Sequence, residues 1–269
     1  MTNKNKLPIV TLLTDFGLRD EYVSVMKGVI LKHAREAQIV DISHLIHPQD
    51  IGTAAHILAR SYRYFPEQSI HLVIVDPGVG SDRAILAVAA DGHYFVGPDN
   101  GIFTFLFDGT KDLTIHRINI SSLRVSTISS TFHGRDIMAP VAGQLAIGLD
   151  ISELGPQIDA GKCHRLALPV CTRLAGTLHG EIIHIDTFGN LCTNIRKQDI
   201  EDFSPYDKIS IQVANNLIVP LLASYPAQEK GKALALFDSH DYLEIAVCQG
   251  NAAQKLHLEL GAKITVSFR

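Results

Sequence analysis

The 269 residues carry 28 acidic and 24 basic side chains, a net charge of −4, and are 46% hydrophobic and 19% charged. Such values suit one large domain or two ordinary ones around an apolar core, and lie far from the low-hydropathy, high-charge signature of disorder. No Lys/Arg cluster could track a phosphate backbone and no apolar run approaches the ~20 residues that span a bilayer, so neither nucleic acid nor membrane is an expected partner.

Along the chain, residues 7–14 predict a first strand. Lys4 and Lys6 before it imitate the start of a signal peptide, but the apolar run is short and meets Asp15 without a small-residue cleavage site, so the protein is expected in the cytoplasm. Apolar spacing at Val25, Val29, Ile30 and Ala34 predicts a helix over 20–34, with Asp20 and Glu21 at its positive dipole end. A second strand over 38–42, a helix over 50–62 and a buried strand over 71–75 follow. Strands at 85–90 and 94–96 flank an Asp91-Gly92 hairpin turn, and 134–147 reads as a further helix.

This alternation predicts an α/β domain over 1–165 with a Rossmann-like, mostly parallel sheet. The pattern then changes. Short runs at 176–185, 208–213, 217–222, 232–237, 242–247 and 263–268 predict a small β-barrel domain over 166–269. Asp15 and Asp76 both fall at carboxyl ends of strands in the first domain, the edge along which open α/β sheets bind ligands.

Five stretches carry candidate chemistry. TDFGLRD (14–20) places two carboxylates five residues apart on a strand-to-helix turn, where one could accept both hydroxyls of a vicinal diol; a helix-capping acid beside a turn glycine would look the same. DPGVGSDR (76–83) puts an acid at a strand end and an arginine seven residues on, close enough to fold together as a structural or a catalytic pair. STFHGRD (130–136) presents His133 from a glycine-flanked loop at a helix start, with Thr131 as its alternative N-cap and Arg135 and Asp136 as surface charges. IDTFGNLCTN (185–194) surrounds a glycine with an acid, an aromatic ring and amides, which suits either an Asx hairpin turn or the wall of a pocket for a flat ring. DSHDYLEIA (238–246), followed by GNAA (250–253), is ordinary taken piece by piece.

Together with GPDNG (97–101), these stretches resemble, in this order and over nearly the whole chain, the S-adenosylmethionine-cleaving family that includes the fluorinase, the chlorinase and the adenosine-forming S-adenosylmethionine hydrolases. The resemblance implies an α/β amino-terminal domain, a smaller β-barrel, and a homotrimer with sites at subunit interfaces. The halogenases carry a tyrosine where this chain has Asp76 and a different residue at His133, so the hydrolase branch is the match. By resemblance Asp76, Arg83 and His133 are catalytic and Asp15 holds the ribose diol. Asp20, Asp186 and Ser239 meet the methionine amino and carboxylate groups, while Phe188, Asn190, Asn251 and Ala252 hold the adenine. Thr131 joins the substrate-binding set. The halogenases have an arginine where this chain has His240, which leaves the partner of the substrate carboxylate open.

The implied reaction is attack of an activated water on the ribose 5′ carbon of S-adenosyl-L-methionine, giving adenosine and L-methionine, with S-adenosylmethionine as substrate and no cofactor. No metal is expected, since the 13 histidines form neither HxH nor HExxH and the four cysteines form no CxxC pair. A halide-using sulfonium cleaver and a non-catalytic sensor of S-adenosylmethionine or adenosine are the competing readings. A carboxylate at position 76 would repel halide, and an assay for adenosine separates enzyme from sensor.

Overall fold

The computed structural model describes residues 7–108, 110, 112–123, 127–202, 209–213 and 217–268, so Lys4, Lys6 and the expected strand start at Lys208 lie outside the described residues. The chain divides into two compact units, Met1–Leu166 and Ala167–Arg269.

In the first unit, β1 (Ile9–Thr14), β2 (Gln38–Ser43), β3 (Ile70–Ile74), β4 (Ile85–Ala90), β5 (His93–Pro98), β6 (Thr114–Arg117) and β7 (Gln157–Ile158) form one sheet in the order β2-β1-β3-β5-β4-β6-β7. The half from β2 to β5 is parallel and the half from β5 to β7 antiparallel. The change of direction follows from the Asp91-Gly92 turn, whose two positive φ values, 50° and 77°, suit the two-residue turn of a twisted hairpin. Every residue of β3 is buried, as an inner strand covered on both faces requires, whereas edge strand β2 buries none.

Helices α1 (Tyr22–His33) and α3 (Ala139–Ala146) cover one face of this sheet. Met26 and Ile30 of α1 and Val141 and Ala142 of α3 share a core with Val10, Leu12, Leu72 and Ile74. Each fully buried Met or Ile contributes ~1.5–3 kcal/mol. Helix α2 (Ile51–Ser61), capped by Asp50 through the Thr53 amide at 2.9 Å, packs Ala54 and Leu58 with Leu13, Val73 and Val75 on the other face. Both helices start a residue or two later than the sequence suggests. The acids at positions 20 and 21 do not cap α1, as its N-cap, Glu21, makes no side-chain cap bond.

The expected helix over 134–147 opens with a wide turn at Gly134–Met138 closed by the Ala139 amide on the Gly134 carbonyl, and only then becomes α3. Pro140 has no N–H to donate, and its ring would collide with the carbonyl four residues back, so one surplus residue is accommodated there.

The second unit is antiparallel. Its strands are β8 (Thr172–Leu174), β9 (Thr177–Ile185), β10 (Leu191–Arg196), β11 (Ile209–Val213), β12 (Leu217–Val219), β13 (Ala233–Phe237), β14 (Tyr242–Val247) and β15 (Lys263–Phe268). They follow the order β12-β11-β15-β9-β10-β14-β13, with β8 added on β9. A bridge between Leu221 and Ala235 links the two ends of this path, so the sheet is a nearly closed barrel around Leu178, Ile182, Ile195, Ile245 and Ile264. Short helices α4 (Lys197–Glu201) and α5 (Ala252–Leu256) complete it. Among the described residues no helix is long and apolar enough to cross a membrane.

Candidate active site

Three loops at the carboxyl edge of the parallel strands bring the first unit's predicted residues together. Asp76 follows β3, whose end is braced by the Asn100 side-chain amide donating to the Val75 carbonyl at 2.8 Å. Arg83 closes the same loop on Asp76. Its Nε donates to Asp76 Oδ1 at 2.6 Å and its Nη2 to Asp76 Oδ2, with both side chains at least nine-tenths buried. Arg83 Nη2 also lies 3.1 Å from His133 Nδ1. A guanidinium only donates, so Nδ1 is the acceptor, and neutral His133 carries its proton on Nε2. Burial and the Arg83 charge push the His133 pKa down, against the opposing pull of Asp76 and Asp136.

The 76–83 and 130–136 loops meet at Gly80. A Cβ there would stand 2.4 Å from the Ser130 carbonyl oxygen, and the backbone has φ +83°, so both space and conformation demand glycine. Asp136, a surface charge under the plainer reading of this stretch, accepts the Ser129 amide at 2.8 Å and pairs with Arg135, whose hydrogen bond holds its carboxyl below the usual range despite burial. It ties the His133 loop from behind. Thr131 is exposed and, among the described residues, bonds to Ser129 through its amide at 3.2 Å and its hydroxyl at 3.1 Å.

Phe16, Tyr22 and Phe132 form a ring cluster with centroids 5.4–5.8 Å apart, which joins the 14–22 segment to the His133 loop. Asp15 therefore lies beside this cluster, half-buried, with Oδ2 accepting the Gln49 amide at 2.8 Å. Asp20 is exposed on the same segment.

The second unit gathers a different set. Asp186 Oδ1 accepts the amides of Phe188 and Asn190 at 2.9 and 2.8 Å, and Oδ2 accepts the Asn190 side-chain amide at 3.0 Å. Gly189, at φ +83°, presses on Asn251 so closely that a Cβ would fall 2.1 Å from its Cγ, while the Ala253 amide donates to the Gly189 carbonyl. Asn190, Asn251 and buried Ala252 thus form one patch around Gly189, next to Phe188, which is 77% exposed. Ser239 belongs to the next hairpin, where Asp238 repeats the device by accepting the His240 and Tyr242 amides, and its hydroxyl lies 3.1 Å from His240 Nδ1. Among the described residues no three His, Cys, Asp or Glu side chains converge as a metal cluster would.

This pairing of a buried Asp-Arg-His network with an Asx-bound aromatic hairpin coincides with a known family. The amino-terminal-domain model of SAM hydroxide adenosyltransferase matches residues 10–155 and its carboxy-terminal-domain model residues 180–265. The chain belongs to the SAM hydroxide adenosyltransferase family. Among SAM hydroxide adenosyltransferase relatives, the (R)-S-adenosyl-L-methionine hydrolase of Methanocaldococcus jannaschii is 36% identical with 97% of each chain covered. That of Thermus thermophilus is 35% identical over 95% of this chain and 98% of its own. A fluorinase from an Actinoplanes species is 24% identical over 98% of both. The crystal structure of an uncharacterized conserved protein from Thermotoga maritima superposes with a TM-score of 0.86 at 33% identity, covering 96% of this chain and 99% of that one.

Proposed function

We propose that this chain hydrolyses S-adenosyl-L-methionine to adenosine and L-methionine. The observation that carries the reading is the buried contact of Asp76, Arg83 and His133, in a chain whose hydrolase relatives are 31–36% identical over nearly their full length, against 22–24% for the fluorinases. Those relatives are named for the R epimer at sulfur, and the same preference is proposed here.

Bulk water, with a pKa of ~15.7, supplies almost no hydroxide at neutral pH, so the attacking water must be biased by fixed groups. Arg83 Nη1 is buried without a hydrogen-bond partner among the described residues. An unmet buried donor costs ~1–3 kcal/mol, and here it is available to the water oxygen as that oxygen gives up its proton and takes on hydroxide character. The oxygen bonds to C5′ as the C5′–S bond breaks, sulfur keeps the electron pair as a neutral thioether, and one water proton departs. Asp76 orients the water and accepts that proton. His133, whose Nδ1 lone pair is engaged by Arg83, fixes the guanidinium instead of acting as the base. Attack by an anionic nucleophile on a cationic sulfonium disperses both charges, which favours a dry site.

In this proposal Asp15 holds the ribose diol, Asp20, Asp186 and Ser239 face the methionine end, and Phe188, Asn190, Asn251 and Ala252 face the adenine. Thr131 contributes to the binding wall. The two compact units act as the two domains of the reading, the protein is a cytoplasmic homotrimer, and no metal or cofactor takes part.

Purified protein treated with EDTA and given each sulfur epimer in oxygen-18 water tests this. The expected result is adenosine labelled at the 5′ hydroxyl, formed from the R epimer. Absence of adenosine would favour the sensor reading, and activity that returns only with a divalent ion would overturn the metal-free mechanism. A light-scattering mass of one 29.4 kDa chain with activity intact would refute the trimer.

A further inference from the structure

The turn that carries Asp15 is held from beneath by a group of side chains outside the catalytic network. The Thr14 hydroxyl, buried at the end of β1, lies 2.8 Å from Nδ1 of His44, thirty residues along the chain, and accepts the Phe16 amide at 3.3 Å. His44 is itself buried, 3% exposed, in the loop after β2, and its Nε2 faces Asp41 Oδ1 at 3.1 Å. Asp41 in turn pairs with Lys27 of α1 at 2.6 Å. Burial opposes ionisation of Asp41, yet the hydrogen bonds from Lys27 and His44 prevail and lower its pKa.

The backbone completes the contact between the two loops. The Gly17 amide donates to the His44 carbonyl at 2.8 Å, and the Gln49 amide reaches Asp15 Oδ2 at 2.8 Å from a residue held at φ 70°, which a side chain larger than glycine seldom adopts. Three contacts thus join residues 14–17 to residues 44–49. Only the Thr14–His44 bond runs between side chains inside the protein.

We propose that His44 is a positioning residue that, through Thr14, fixes the turn so that the Asp15 carboxylate meets the ribose diol. The Thr14 hydroxyl oxygen takes the Phe16 N–H on one lone pair and meets His44 Nδ1 with either its proton or its second lone pair, so the contact holds whichever tautomer the ring adopts. Asp15 has one oxygen anchored on the Gln49 amide, and a diol must reach the carboxylate at a set angle. A shift of the turn by about 1 Å degrades both hydroxyl contacts at once. A histidine that merely filled space would need no partner for Nδ1.

The proposal rests on Asp15 as the diol acceptor, and its test separates the two. Calorimetric dissociation constants for adenosine and 2′-deoxyadenosine are measured on the full-length protein and on Asp15→Asn, Thr14→Val, Thr14→Ser, His44→Gln and His44→Asn, with turnover and a melting curve for each. The wild type is expected to prefer adenosine. Thr14→Val and His44→Gln, which lose the hydroxyl or the hydrogen-bonding group at the Nδ1 position, should lower that preference about tenfold with kcat within about threefold, whereas Thr14→Ser and His44→Asn restore it. If Thr14→Val and His44→Gln melt near the wild type and keep its preference while Asp15→Asn loses it, the role of His44 is refuted and the diol reading stands. If Asp15→Asn also keeps the preference, both fall. Where a His44 variant does not fold, the Thr14→Val and Thr14→Ser pair decides alone.

Discussion

Asp76 and Asp186 both follow a strand and both sit in a glycine-containing turn, yet one spends its oxygens on the Arg83 guanidinium and the other on the amides of its own hairpin. The first arrangement buries two opposite charges against each other. Removing one partner of such a pair strands the other, at a cost of ~3–5 kcal/mol, so the loop is held only as long as its chemistry is intact. The second arrangement secures a shape. Its acid satisfies backbone donors that any acceptor of similar reach could satisfy, and what it presents outward is the ring of Phe188. Charge placement in the first unit and surface shape in the second are separate inventions, and they should respond differently to the same kind of substitution.

The sharpest contrast is expected from Asp76→Asn, which keeps the shape and removes the charge. Turnover should fall by ~100-fold or more, substrate affinity should change little, and the melting temperature should drop as Arg83 loses its counterion. Near-native turnover in a folded Asp76→Asn protein would remove Asp76 from the catalytic group. Asp15→Asn comes next: weakening a charge-assisted hydrogen bond worth ~1.5–3 kcal/mol should show as weaker binding, with a smaller loss in kcat.

Acid should then distinguish the two units without mutation. His71 accepts or donates at Thr11, 2.8 Å away, and at His93, 3.2 Å away, and burial pushes its pKa down to about 3 and that of His93 down as well. In the unfolded chain both would titrate near 6.5, so the unfolded state binds more protons below that pH. Stability is complete above pH 6.5 and declines as pH falls toward 3, by at most ~1.4 kcal/mol per pH unit for each proton. Denaturant titrations at pH 7 and 5 should show this slope in the first unit, and His71→Asn should reduce it.

The smallest effect is predicted for Asp186→Asn. The amide keeps one oxygen acceptor, so the hairpin should lose about 1 kcal/mol and turnover at saturating substrate should stay near the wild type. A rate loss as large as that of Asp76→Asn would erase the distinction between the two acids.

Strands β4, β14 and β15 run between the residues their apolar patterns mark, because buried β-branched runs bounded by turn residues leave little freedom in placement. The Asp76-Arg83 pair was legible for a related reason: seven residues of Pro- and Gly-rich turn return the chain to its start. Strand β10 was concealed. Leu191–Arg196 reads Leu-Cys-Thr-Asn-Ile-Arg, without the apolar and polar alternation of a half-buried strand, and Thr193 is buried with its hydroxyl on the Leu243 carbonyl at 2.8 Å, fifty residues away. His44 escaped notice on the same grounds, since its partner Thr14 is remote in sequence and a lone histidine has no periodicity to betray it. The acceptor role of Asp136 was not legible, because it depends on how the Ser129 loop folds back.

The wide turn at Gly134–Met138 carries a consequence for registry. One extra residue rotates everything downstream by about 100° relative to an uninterrupted helix. Residues on its two sides therefore cannot be drawn on a single helical wheel: Val141, Ala142 and Leu145 pack in the core beneath the sheet while, on the amino-terminal side, His133 meets Arg83 and Asp136 meets the Ser129 amide. The surplus residue works as a phase shifter between a packing face and a chemical face. Deleting a single residue there should bring the two faces out of phase and drive Pro140 against the carbonyl four residues back, so that adenosine formation is lost and the melting temperature falls.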